Sequence, residues 1–139
     1  MGIEPLHLTL ANRLCALEPA RQAMLAYLAP AGLSPQTVFR LELVLEETFM
    51  NLLWHAHQDG REDAAELSVQ RHADEVELAF ADSGVAFDPT TAAEPARPVS
   101  LDQAPAGGRG LALVRRAAKR ISYLRVDGRN HLHIAVATV

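Results

Sequence analysis

Near residue 60 the spacing of hydrophobic residues switches from helical to alternating, and that switch restricts the possible folds more than any other feature. Between Ser34 and His57, Leu41, Leu45, Thr48, Leu52 and His55 lie along one face at helical spacing, with Ser34 as N-cap and Pro35 at the first helical position. Gln58-Asp59-Gly60 stops this helix. From Ala64 the period becomes two: Leu67 and Val69 alternate with polar neighbours, Ala73-Asp74 turns, and Val76, Leu78 and Phe80 alternate again before Asp82-Ser83-Gly84. A long helix feeding a β-hairpin excludes an all-helical or all-β chain.

The flanking segments complete the pattern. Pro5 to Asn12 alternates Leu6, Leu8 and Leu10 against His7, Thr9 and Ala11, as a strand with one buried face does. Glu18 to Ala31 reads as a first helix, with Pro19 in its first turn and Ala20, Ala23, Met24, Tyr27 and Leu28 repeating along it. Residues 88–109 hold Pro89, Pro95, Pro98, Pro105 and Gly107-Gly108 without periodicity, a loop long enough to need a function. A helix from about Gly110 to Arg120 follows. Ile121–Val126 and His131–Val139 then alternate around Asp127-Gly128-Arg129-Asn130. Hairpins in place of crossovers predict an α+β two-layer sandwich, one domain over residues 1–139, with a mostly antiparallel sheet and its helices on one face.

Charge narrows the function classes. The 139 residues carry a net charge of −4, with 5 basic and 13 acidic side chains in residues 1–82 and 8 basic and 4 acidic in 83–139. An acidic whole argues against direct nucleic-acid binding, which rests on neutralising phosphates. The basic C-terminal half could receive a small polyanion, or Arg115, Arg116, Lys119 and Arg120 could simply be the solvated face of a helix. No apolar run is long enough to span a membrane, and the start MGIEPLHLTL lacks the features of a secretory signal. A cytoplasmic protein is expected, with no membrane partner. Cys15 is the only cysteine and is expected to be buried.

Three local constellations could carry chemistry. Glu47 and Asn51 sit four residues apart on the second helix and so project from one side, about a turn apart. A carboxylate can orient a nucleophile, and a carboxamide oxygen can ligate a hard cation such as Mg²⁺. Asp82-Ser83-Gly84, followed by Val85-Ala86-Phe87-Asp88-Pro89, ends a strand. Its aspartate is either an acceptor for an exocyclic amine or the start of an ordinary Asx turn. Gly107-Gly108-Arg109-Gly110-Leu111 runs into a helix, where backbone N–H groups and the helix dipole favour an anion.

In this order, Glu47-xxx-Asn51-xxx-His55, Asp82-x-Gly84-xx-Phe87-Asp88-Pro89 and Gly108-x-Gly110-Leu111-x-Leu113-Val114 resemble the N, G1 and G2 boxes of the GHKL (Bergerat-fold) ATPases. More narrowly, the chain resembles the small anti-sigma-factor serine kinases of the RsbW and SpoIIAB type. The resemblance implies ATP and Mg²⁺ as cofactors and an ATP lid over residues 89–107. It makes Glu47 the general base toward a serine hydroxyl and Asn51 the residue that holds Mg²⁺ against the phosphates. It further implies that Asp82 accepts the adenine amino group, that Gly84 lets the base pack closely, and that Gly108 and Gly110 contact phosphate. Asn51, His55, Phe87, Arg109 and Leu111 complete its nucleotide-binding set. Arg21 lies where the family contacts sigma factor and antagonist. Three positions depart from the pattern: Ala86 for a second glycine, Lys119 where relatives often carry Asp, and His57 where they often have Tyr.

The resemblance thus implies an anti-sigma factor and protein-serine kinase that phosphorylates a STAS-domain antagonist and sequesters a sigma factor, acting as a homodimer. The alternative is a nucleotide-dependent binding module of little catalytic power that acts on another partner protein.

Overall fold

The computed structural model describes residues 4–52, 65–84, 86, 88 and 106–138, the first six of the last stretch by backbone only. Five strands form one sheet in the order β1-β2-β3-β5-β4, each antiparallel to its neighbours: β1 Leu6–Leu10, β2 Ala65–Arg71, β3 Glu75–Asp82, β4 Arg120–Val126 and β5 Arg129–Ala137. Among the described residues three α-helices accompany them: α1 Leu17–Leu28, α2 Pro35–Asn51 and α3 Ala106–Ala117.

The register explains why one face is buried. Leu8, Leu67, Phe80, Leu132 and Tyr123 lie in one row across the five strands, and Leu6, Val69, Leu78, Ile134 and Ile121 in the next. These rows meet Ala20, Met24 and Leu28 of α1, and Leu41, Val44, Leu45 and Phe49 of α2, in a single buried core. Residues between them in sequence, such as His7, Ser68, Ala79, His133 and Ser122, share the opposite face. The expected α+β sandwich with helices on one face is therefore the observed one. Tyr27 pins α1 to the sheet, its hydroxyl oxygen accepting from the Arg71 amide at 3.2 Å.

Local chemistry fixes the start of α2. The Ser34 hydroxyl oxygen accepts from the Thr37 amide at 3.1 Å, and Pro35 occupies the first turn. The entry is set by Gly32, left-handed at φ 62°. Between β4 and β5, Asp127 (φ 52°) and Gly128 (φ 75°) form a two-residue turn with both central residues left-handed, the form that matches strand twist.

Several expectations need correction. The first helix is α1 followed by a short 3-10 segment, Ala29–Ala31. The third helix begins at Ala106 and ends at Ala117, so Gly107 and Gly108 are helical and the last two residues of the expected lid belong to α3. Arg120 opens β4, and only Arg115 and Arg116 of the four basic residues lie on the helix. Asn130 is a strand residue, not part of a four-residue turn. Cys15 is exposed, because Leu14–Ala16 is a surface 3-10 turn.

Candidate functional site

Glu47 and Asn51 occupy the last turns of α2, where the helix passes from its core-facing residues to its end. Glu47 is half-buried. Desolvation, with the neighbouring Glu46 carboxylate as the smaller cause, raises its carboxyl above the ordinary range. Such a shift strengthens a carboxylate as a proton acceptor near neutrality. Asn51 is buried, and its Oδ1 has no hydrogen-bond partner among the described residues. An orphaned buried carbonyl oxygen is costly, and a hard cation or its water shell is the chemistry that would satisfy it. The donor present therefore fits Mg²⁺.

Asn51 and Thr48 form one wall of a narrow cavity whose other walls are Val114 and Arg115 of α3, Ile121 of β4, and Leu132 and Ile134 of β5. Asp82 ends β3 on the same buried face. Its Oδ1 accepts from the Gly84 amide at 2.8 Å and from Asn130 Nδ2 at 3.0 Å. The first bond is an Asx turn, so the ordinary structural role of Asp82 is realised in the same residue that could accept an exocyclic amine. Asn130 Oδ1 accepts from the Tyr123 hydroxyl and from Arg125 Nη1 at 3.1 Å, and Arg125 Nη1 also donates to the Gly84 carbonyl at 2.8 Å. Spacing in sequence did not reveal Tyr123, Arg125 or Asn130 as site neighbours. Their signal lies in the register, which aligns Asp82, Asn130 and Arg125 in one row.

Gly108, Arg109, Gly110 and Leu111 lie in the first turns of α3, which packs along α2. His55 and Phe87 lie outside the described residues, as do His57 and residues 89–105 of the expected lid. Arg21 stands apart from the cavity, on α1. Its Nε and Nη2 donate to the Glu18 carboxylate at 2.9 and 2.7 Å, and Nη1 donates to Glu42 of α2 at 3.2 Å. With help from Gln22, Arg21 pulls the Glu18 carboxyl down to about 2.

Lys119, a departure from the resemblance, has a structural role. Its Nζ lies 3.1 Å from Glu75 Oε1, and Arg120 Nη2 lies 2.8 Å from Glu75 Oε2. The buried Glu75 carboxyl is held below its ordinary value, mainly by the Arg120 hydrogen bonds and then by Lys119.

The histidine kinase-like ATPase domain family matches residues 10–136. The chain belongs to that family. It is 43% identical over 94 residues to the serine/threonine-protein kinase BtrW of Bordetella bronchiseptica, a match covering 68% of this chain and 66% of BtrW. The chain thus spans just under two thirds of that relative's length. In fold it resembles the RsbU and RsbW domains of a Mycobacterium tuberculosis protein, with a TM-score of 0.69, 15% identity and coverage of 96% of this chain and 32% of that one. It also resembles the SiaB-SiaC complex of Pseudomonas aeruginosa, with a TM-score of 0.59, 15% identity and coverage of 98% and 90%. No helix among the described residues is long and apolar enough to cross a membrane.

Proposed function

We propose that this chain is an ATP- and Mg²⁺-dependent protein-serine/threonine kinase that works as a partner switch, phosphorylating a STAS-domain antagonist and holding a sigma factor when that antagonist is modified. The observation that carries the reading is the buried Oδ1 of Asn51, which has no partner among the described residues, one helical turn beyond a half-buried carboxylate whose proton affinity is raised. A helix turn puts the two groups about 6 Å apart along the axis, a separation suited to serving different ends of one reacting assembly.

ATP with Mg²⁺ would supply the transferable phosphoryl group and neutralise its charge. Glu47 takes the proton of the substrate hydroxyl as that oxygen bonds to the γ-phosphorus and the bond to the ADP oxygen breaks. Asn51 fixes the cation. Asp82 accepts the base's exocyclic amine, and the start of α3 holds phosphate by its leading amides, through Gly108, and by the Arg109 charge, with Gly110 and Leu111 in the turn that follows. His55 and Phe87 complete the nucleotide contacts. The cavity beside Asn51 has room for about one water, 10 Å³, the size that suits a hydrated cation's first ligand at Oδ1.

Membership in the family, and kinship with a protein named as a serine/threonine kinase, support the enzymatic reading. That SiaB was solved with SiaC supports a protein partner for this fold. Arg21 is the proposed contact for that partner, which would compete with Glu18 and Glu42 for the guanidinium. A homodimer in the cytoplasm completes the proposal.

The test is transfer of labelled phosphate from ATP with Mg²⁺ to a purified STAS-domain protein encoded in the same genome. Glu47→Ala should slow transfer by about 10²- to 10⁴-fold while ATP affinity stays within about twofold, since the base contacts the hydroxyl and not the nucleotide. Equal transfer by the variant would remove Glu47 from catalysis. Nucleotide binding that regulates the partner without any transfer would establish the binding-module alternative.

A further inference from the structure

The row formed by Asp82, Asn130 and Arg125 carries more than the aspartate's own role. Three adjacent strands, β3, β5 and β4, place these residues side by side on the buried face, with Tyr123 two residues along β4. The hydrogen bonds of Asn130 favour one orientation of its side-chain amide. Its Nδ2 donates to Asp82 Oδ1, and its Oδ1 receives donors from Tyr123 and Arg125. A flipped amide would turn its NH₂ toward the Arg125 guanidinium and its oxygen toward the Asp82 carboxylate, losing both of those bonds and setting donor against donor and acceptor against acceptor. Arg125 also holds the Gly84 carbonyl, while the Gly84 amide is held by Asp82. Side chain and turn backbone are therefore tied from both ends.

We infer that Asn130, Tyr123 and Arg125 are positioning residues that lock the Asp82–Gly84 turn, and that this lock makes the site selective for a 6-aminopurine over a 6-oxopurine nucleotide. The inference rests on the nucleotide site proposed above. A carboxylate fixed as an acceptor welcomes the amino group of adenine and repels the carbonyl oxygen of guanine or hypoxanthine. A carboxylate free to rotate could instead accept from the N1–H of those bases, and selectivity would fall. Buried polar groups matched to one ligand reject the mismatched one strongly for this reason.

Arg125 is exposed and Tyr123 half-buried at the edge strand, so Arg125→Met and Tyr123→Phe keep their hydrophobic stems and are expected to fold. The experiment is titration of ATP, GTP and ITP, each with Mg²⁺, into the intact chain and both variants, with melting temperatures recorded alongside. The intact chain should prefer ATP by about 100-fold or more. Arg125→Met should cut that preference by about tenfold and Tyr123→Phe by less, both through tighter relative binding of the 6-oxo nucleotides. A purely structural role would weaken all three nucleotides in proportion and leave the ratio intact. An unchanged ratio in both variants, with ATP still bound, would overturn the inference alone. Failure of the intact chain to bind any of the three would overturn the nucleotide site beneath it.

Discussion

Asn51 buries a carboxamide oxygen that no described residue satisfies, a state that costs about 1–3 kcal/mol in a protein interior. Asn51→Leu removes that cost. The variant should melt at the same temperature as the intact chain or higher without nucleotide, yet lose the stabilisation that ATP with Mg²⁺ provides, read by thermal melting with and without ligand. Glu47 shows the same conflict between stability and function. Its folded-state carboxyl is raised above the unfolded value, so the unfolded chain loses this proton first as pH rises, and the folded chain bears the cost of the desolvated charge above its raised value. Glu47→Gln should therefore raise the melting temperature by about 1–2 °C at neutral pH, with the difference vanishing in acid. Phosphate transfer by the intact chain should fall as pH drops through the raised Glu47 value, because a protonated carboxyl cannot take the substrate proton. Glu47, Asn51 and Asp82 were legible in the sequence because helical spacing and a strand end fix their placement without tertiary information. Tyr123, Arg125 and Asn130 were not, since their alignment with Asp82 depends on a two-residue turn, Asp127-Gly128, where the sequence reads as a four-residue one.

Among the elements, α3 shows where local rules give way to packing. Gly107 and Gly108 favour a loop, at about 1 kcal/mol per glycine relative to alanine, yet α3 starts at Ala106 because it lies along α2 and buries Val114 against the core. Lys119 and Arg120 looked like a continuing helical face, but the buried Glu75 claims both and starts β4. The Glu75 carboxyl is lowered in the folded state, so its contribution is fully present above the unfolded carboxylate value, about 4.3, and is lost as pH falls through the folded value. Glu75→Gln should lower the melting temperature by about 3–5 °C at pH 7, and the two proteins should converge only in acid below the lowered folded-state value. At the start of α2, Ser34→Ala removes the acceptor for the Thr37 amide and should cost about 1 kcal/mol in denaturant unfolding. Strands β1, β2 and β3 were legible because one buried face forces strict alternation. The ends of the helices were less so, because caps and tertiary contacts decide them.

For the molecule as a whole, the one-sided sheet determines where chemistry can occur. Helices cover a single face, so the cavity between α2, α3 and strands β4 and β5 gathers Asn51, Thr48 and Arg115 from segments far apart in sequence. The three sequence boxes make sense together only in this geometry, which is why each alone was ambiguous and their order was informative. The family match over residues 10–136 agrees with that reading. Arg21, braced by Glu18 and Glu42 across α1 and α2, lies on a surface separate from the Asn51 cavity, which suits the partner contact proposed for it. The most direct measurement is isothermal titration of ATP and ADP with Mg²⁺ into the intact chain, Asn51→Ala and Asp82→Ala. Saturable binding by the intact chain that is lost in both variants is the expected result. No binding by the intact chain at millimolar nucleotide would contradict the central claim and leave a partner-binding domain on an ATPase fold.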